Sequence, residues 1–210
     1  MKNKWIFIFG TIGLLSYDQL VKECDKGSFQ KPERLQSLPV QSSDGQTAIS
    51  ETRCWKEGDR HLAASDLFID KQKVYSTPSN AFTVPCGSAA GEIFKPFQWS
   101  LNGKYLAWEF IPYCWETEPI PTVIMFYQAK EKKNVAPKFN GIVKEFYERY
   151  PKALPFKKET DFAFYPIRWW AAEKFLLELQ PICYGCSLDI PRTRWSITPD
   201  GKTAFMGAKD

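Results

Sequence analysis

Histidine is almost absent from this chain: His61 is the only one in 210 residues. A Ser-His-Asp triad would depend entirely on that residue, for which the charged context EGDRHLAAS predicts a surface position. The segment GSAAG at residues 87–91 places serine at the wrong position for a G-x-S-x-G nucleophile turn. H-E-x-x-H, P-loop and G-x-G-x-x-G motifs are also missing. We therefore predict no catalytic residues, no metal and no cofactor.

A long hydrophobic run is missing as well. Lys2 and Lys4 precede the uncharged segment Trp5–Leu15, which is shorter than the roughly 20 apolar residues of a membrane-spanning helix. A basic start followed by a short apolar stretch is typical of a secretory signal peptide. We expect residues 1–16 to be such a signal, with cleavage after Ser16, or to be an uncleaved N-terminal anchor. The expected location is periplasmic or secreted, with membrane attachment only if this segment is retained.

Neither sign of charge dominates. Lys and Arg number 28 against 24 Asp and Glu, a formal net charge of +4. That excess is too small to indicate a nucleic-acid partner. The short basic clusters at residues 130–133 and 157–158 are interpreted as solvated loops.

The six cysteines agree with an oxidising compartment, where structural disulfides form. Six cysteines allow 15 pairings, and the sequence does not choose among them. Lipid attachment at Cys24 is not expected, because the charged residues Lys22 and Glu23 precede it. Cys183 and Cys186 form a C-x-x-C pair, which fits either a disulfide across a tight turn or a thiol–disulfide exchange site. The disulfide candidates are Cys54, Cys86, Cys114, Cys183 and Cys186.

Composition divides the remainder of the chain into two parts. Residues 25–50 are rich in Ser, Gln, Lys and Pro and show no apolar period. We expect residues 17–50 to be a poorly ordered arm or linker, and residues 51–210 to be a β-rich domain.

Aromatic residues make up 16% of the chain, which favours β-structure. Asn102-Gly103 and Asp200-Gly201 each separate two aromatic-rich runs, and such dipeptides are typical of β-hairpin turns. Two further short runs, DLFID at 66–70 and KVYST at 73–77, predict another hairpin, and TVIMFYQA at 122–129 predicts a strand.

One helix interrupts this pattern. Apolar residues recur at three- and four-residue steps over residues 140–150, and Pro151 ends the helix. We expect its aromatic stripe to pack on the sheet. Residues 167–180 fit either a helix or a hairpin, and the order of the runs favours the hairpin. The predicted fold is mainly β with one packed helix, an antiparallel hairpin meander that is either incomplete propeller-like or sandwich-like.

The two hairpin segments, WSLNGKYLAW at 99–108 and WSITPDGKTAF at 195–205, resemble the repeat core of TolB-type β-propellers, W-S-x-D-G-K. Residues 170–177 look like a degraded third copy without the glycine. The resemblance implies that each motif is a β-hairpin and that blades recur at intervals of roughly 40–45 residues.

The function predicted from these features is that of an exported, non-catalytic binding protein. Aromatic side chains are enriched at the centres of protein contacts. The contact residues proposed on this basis are Tyr113, Trp115 and Glu116 in the loop 111–121 and Tyr184 in the C-x-x-C turn, whereas Trp99 and Trp195 are expected in the core. The partner would be another protein, such as a secreted toxin or an envelope protein, or a glycan. The alternatives are thiol–disulfide exchange at Cys183 and Cys186, or glycan hydrolysis by carboxylates among Glu109, Glu116 and Glu118.

Overall fold

The computed structural model of the chain describes residues 14–15, 17–25, 33–82, 89–113, 123–158, 160–183 and 191–208. Within these ranges the helices are α1 (Tyr17–Asp25) and α2 (Asn140–Arg149), with 3₁₀ helices at Ser79–Phe82 and Pro151–Phe156. The strands are β1 (Leu14–Leu15), β2 (Glu33–Ser37), β3 (Val40–Gln41), β4 (Thr47–Glu57), β5 (Arg60–Ile69), β6 (Gln72–Ser76), β7 (Ala89–Trp99), β8 (Tyr105–Pro112), β9 (Val123–Gln128), β10 (Lys133–Val135), β11 (Thr160–Ala171), β12 (Lys174–Cys183), β13 (Thr193–Ile197) and β14 (Thr203–Ala208). The prediction of a mainly β fold is confirmed.

The strands form two open sheets. The larger follows the order β1-β2-β4-β5-β7-β8-β9-β10, with β3 paired to β4 and β6 paired to β5, and the smaller follows the order β11-β12-β13-β14. A short parallel junction, from His61–Ala63 to Ala89–Gly91, joins the two halves of the larger sheet, whose other strand pairs are antiparallel except β1 with β2. No closed ring of blades forms among the described residues.

The predicted hairpins are confirmed. β5 pairs with β6, β7 with β8 and β13 with β14, all antiparallel. The segment at 167–180 is also a hairpin rather than a helix, since β11 and β12 pair around Ala172 and Glu173. The strands of the smaller sheet therefore pair in chain order and antiparallel, as in a meander.

Three of the turns share one hydrogen-bond pattern. In each, a Ser or Thr hydroxyl donates to the Asp or Asn two residues later, and the glycine after that residue has a positive φ; the three turns begin at Ser42, Ser100 and Thr198. The glycine nitrogen donates back to the oxygen of the first residue at 3.2, 2.9 and 2.8 Å respectively. The copy at 42–46 lies in the segment expected to be an arm, so the turn chemistry recurs earlier in the chain than the hairpin pattern predicted.

The expectation of a poorly ordered arm over 17–50 is wrong for its described residues. Helix α1 and strands β2 and β3 lie there, and β4 begins at Thr47 rather than after residue 50. The Ser- and Gln-rich composition hides short strands, because their partners come from β4 rather than from neighbouring sequence. Leu14 and Leu15, within the predicted signal or anchor, pair with Gln36 and Ser37.

A disulfide holds α1 against the larger sheet. Cys24 in α1 bonds to Cys54 in β4, with a Cα–Cα distance of 5.3 Å. Cys54 was among the predicted candidates, but its partner was not. Of the other four candidates, Cys86, Cys114 and Cys186 lie outside the described residues, and Cys183 is described only as the last residue of β12.

Two aromatic cores hold the layers together. One lies between the two halves of the larger sheet and includes Phe94, Trp99 and Trp108. The other lies between β8, β9, the smaller sheet and α2, and includes Phe146, Trp169 and Trp195. Trp99 and Trp195 are buried, and so is the apolar stripe of α2, at Ile142, Phe146 and Tyr147. Both predictions are confirmed.

Neither of the two α-helices in the described part of the chain is long and apolar enough to cross a membrane.

Candidate functional site

The consecutive residues Trp169 and Trp170 point to opposite sides of the smaller sheet. Trp169 is 3% exposed, whereas Trp170 is 52% exposed. Trp169 is fixed to the larger sheet because its main-chain nitrogen donates to Gln98 Oε1 at 3.1 Å and its indole nitrogen donates to Gln98 O at 2.9 Å. Trp170 instead shares the outer surface of the smaller sheet with Arg168 and Leu176.

An irregularity in strand pairing lies at the same place. The register of β11 against β12 shifts between Trp169 and Ala171, so Trp170 has no partner directly opposite. Such bulges bend a strand, re-aim a side chain and occur often next to functional sites. Trp170 is the largest of the exposed apolar side chains that the structure describes.

The surface around this indole combines apolar and cationic groups. We call it the Trp170 patch; it is a shallow depression of about 250 Å³ lined by Arg168, Trp170, Leu176, Arg194 and Met206. Three neighbouring strands, β11, β12 and β13, supply the first four residues, and β14 supplies Met206. Trp, Met and Arg are the residue types enriched in protein contacts.

The Trp170 patch contains two cationic side chains, those of Arg168 and Arg194. Neither Arg168 nor Arg194 forms an ion pair with another described residue. Glu178, which lies opposite Arg194 in the pairing of β12 with β13, accepts from Arg192 Nη1 at 3.1 Å. Arg192 also lies over the Tyr165 ring, 5.5 Å from its centroid. Two guanidinium groups therefore remain available beside the exposed indole.

The contact residues predicted from sequence do not form this surface. Tyr113 is 4% exposed and packs in the cluster around the disulfide, with Leu20, Leu35 and Ile93. Its proposed role as a surface contact is therefore corrected: the ring serves packing. The predicted contacts Trp115, Glu116 and Tyr184 lie outside the described residues.

Of the three acids in the glycan-hydrolysis hypothesis, the structure describes only Glu109. Glu109 is 4% exposed within β8, and its Oε2 lies 3.3 Å from Lys95 Nζ. A buried, ion-paired strand residue is not an acid in a solvated loop, as the sequence had suggested. Glu116 and Glu118 lie outside the described residues.

His61 is 9% exposed, so the prediction of a surface position is also wrong. It lies on β5 opposite Lys56 and borders the parallel junction with β7. Within the described part of the chain, no group of three or more His, Cys, Asp or Glu is placed to hold a metal ion.

One buried carboxyl stands out electrostatically. Burial raises the pKa of Glu92 above its ordinary value, and its Oε2 has no hydrogen-bond partner among the described atoms. Burial, followed by the nearby Glu92 charge, raises the pKa of Tyr75. Because this buried oxygen lacks a hydrogen-bond partner among the described atoms, we interpret Glu92 as a cost to stability rather than as an active-site acid.

Comparison with protein-family models, curated proteins and solved structures finds no significant match to this chain. The resemblance to TolB-type repeats therefore stays a prediction.

A signal for Trp170 was present in the sequence. In a strand, the doublet Trp169-Trp170 must place one indole on each face. The hairpin interpretation of 167–180 thus implied an outward tryptophan, but only the sheet packing decides which of the two it is.

Proposed function

We propose that this chain is a non-catalytic binding protein that contacts another protein through the Trp170 patch. The single observation that carries the proposal is that the exposed indole of Trp170 shares one depression with two arginines that have no ion pair within the described residues. Tryptophan and arginine are the residues that most often dominate the energy of a protein contact. The expected partner surface presents carboxylates around an apolar centre, which would neutralise Arg168 and Arg194.

The shape of the patch favours a protein over a glycan. A depression of about 250 Å³ is smaller than the clefts that enclose small ligands, which are about 300–1,000 Å³. The side chains around it come from four adjacent strands, so the surface is a sheet face rather than a groove for a single chain. A flat face of this kind suits a partner that covers several strands at once.

We also propose that the protein acts outside the cytosol, in the periplasm or the exterior, with residues 1–16 as a signal or an anchor. The Cys24–Cys54 disulfide supports this, because disulfides are rare in reducing compartments. A secreted or envelope protein is the corresponding class of partner.

The test begins with the partner. Chemical cross-linking in the native source and mass spectrometry would identify it, and its affinity for the purified chain would then be measured. Trp170→Ala should weaken binding by about 30-fold or more, as expected for a contact hot spot. Leu38→Ala is the matched control, because Leu38 is also 52% exposed but lies between β2 and β3 of the larger sheet and is not among the residues lining the patch.

Charge provides a second arm. Arg168→Glu and Arg194→Glu should each weaken the complex, and the remaining affinity should be less sensitive to salt. Binding that is unchanged by Trp170→Ala and by both charge reversals would refute the patch as the contact surface. Saturable binding to an acidic polysaccharide, lost in Trp170→Ala and without any protein partner, would replace the protein by a glycan.

A further inference from the structure

A second surface depression lies between α2 and the 3₁₀ helix Pro151–Phe156. Its volume is about 520 Å³, within the range of sites that hold small molecules. We call it the α2 groove, and its lining includes Val143, Lys144, Tyr147, Glu148, Leu154 and Lys157. Trp170 is not among its lining residues, so the groove is separate from the contact surface proposed above.

Apolar groups line part of the groove. Val143 and Tyr147 lie one turn apart on α2, and Leu154 lies on the 3₁₀ helix facing them across the depression. Leu154 remains 53% exposed, although removing a leucine side chain from water is favourable. An apolar group placed in the groove would cover it.

The rim of the groove is predominantly basic. Lys157 Nζ lies 5.7 Å from the centroid of the Tyr147 ring and forms no ion pair with another described residue. Lys144 is the second cation, and its Nζ lies 3.9 Å from Glu148 Oε1. Both members of that pair are mostly exposed, so the attraction between them is weak. Glu148 is the only acid in the lining, which leaves a net positive rim.

We propose that the α2 groove binds a small amphipathic carboxylate, with its apolar tail against Val143 and Leu154 and its carboxylate near Lys157. The tail covers apolar surface that the fold leaves open, and the carboxylate supplies the counter-charge that Lys157 lacks within the described chain. A cation–π contact with the Tyr147 ring positions the Lys157 ammonium group at the groove.

Decanoate is the probe, with decanol as its uncharged counterpart, both used below the concentration at which they aggregate. Titration calorimetry should show saturable binding of decanoate that is tighter than that of decanol. Lys157→Gln should weaken decanoate about twofold to fivefold, the contribution of an exposed ion pair, and should leave decanol unchanged. Leu154→Ala should weaken both probes, because it removes part of the apolar lining.

Lys152→Gln is the matched control. Lys152 is an exposed lysine on the 3₁₀ helix Pro151–Phe156, which Lys157 directly follows, and it is not part of the groove lining. The variant should bind both probes as the unchanged protein does. Equal affinity for decanoate and decanol, equal losses in Lys152→Gln and Lys157→Gln, or no saturable binding of decanoate would each overturn the proposal. Because Trp170→Ala should not affect either probe, failure here leaves the protein-contact proposal standing, and the reverse also holds.

Discussion

Trp169 donates from its indole nitrogen to the main-chain oxygen of Gln98 at 2.9 Å, and this bond links the smaller sheet to the larger one. The same indole lies 5.2 Å, centroid to centroid, from the rings of both Phe126 and Phe175. Trp169 is fixed inward, and its neighbour Trp170, at the bulge in β11, is 52% exposed. The exposed indole is therefore a consequence of how the sheets pack.

The two tryptophans should differ sharply in their effect on stability. We expect Trp169→Ala to lower the free energy of unfolding by about 3–5 kcal/mol, the range for truncating a buried aromatic side chain. Trp170→Ala should change it by no more than about 0.5 kcal/mol, because the side chain is mostly in solvent. Urea unfolding followed by circular dichroism measures both. A large loss in Trp170→Ala would mean that this indole is covered within the protein.

Removing the Cys24–Cys54 cross-link should cost about 3–4 kcal/mol of unfolding free energy, because the bond closes a loop of 30 residues in the unfolded chain. The double variant Cys24→Ala, Cys54→Ala is the appropriate change, since both positions are buried and alanine leaves no reactive thiol. The urea midpoint of oxidised protein, compared with that of the variant, measures the effect. Equal midpoints would show that the bond contributes nothing to the folded state.

Gly91 should not tolerate alanine. Its φ is +112°, and a Cβ there would overlap the carbonyl oxygen of Ala63 on the paired strand β5 and lie 2.9 Å from the carbonyl carbon. We expect Gly91→Ala to separate the parallel junction between β5 and β7 and to destabilise the protein strongly.

Gly207→Ala is the control for Gly91→Ala, because Gly207 also has a positive φ, +125°, but a Cβ there would contact nothing within 4 Å. It should lose only the cost of the backbone conformation, about 1–3 kcal/mol. Thermal unfolding of the two variants separates steric overlap from backbone strain. Equal losses would contradict the close approach of the strands.

Glu92 should make stability depend on pH. Burial raises the pKa of Glu92 in the folded protein, so the folded state is more stable when this carboxyl is protonated than when it is charged. This contribution is fully present below the ordinary glutamate pKa and is lost as the pH rises through the raised folded value. Glu92→Gln should remove it, so that the variant gains stability over the unchanged protein as pH increases. Urea titrations at several pH values measure this difference; a gap that does not widen with pH would contradict the prediction.

Local sequence signals predicted most of the hairpins correctly. Asn102-Gly103 and Asp200-Gly201 mark turns because asparagine, aspartate and glycine adopt the backbone angles that such turns require. The apolar stripe of α2 and its end at Pro151 were equally clear, since both depend on residues close together in the chain.

The signals failed where structure depends on distant partners. β2 and β3 carry little hydrophobic pattern of their own and are held by pairing with β4. Tyr113 was expected on the surface because it adjoins a Pro-rich connection, yet it packs against residues from α1, β2 and β7. The Trp170 patch was missed for the same reason: its five residues come from four strands and converge only in the folded sheet.

By itself the sequence determined several of the strands, where they turn and which helix has an apolar face, because each of these depends on neighbouring residues. Only the tertiary structure decided that Cys24 meets Cys54, that Tyr113 is buried and that Trp170 rather than Trp169 faces solvent. The physical reason is that strand alternation assigns side chains to two faces, whereas the packing of one sheet on another decides which face is the core.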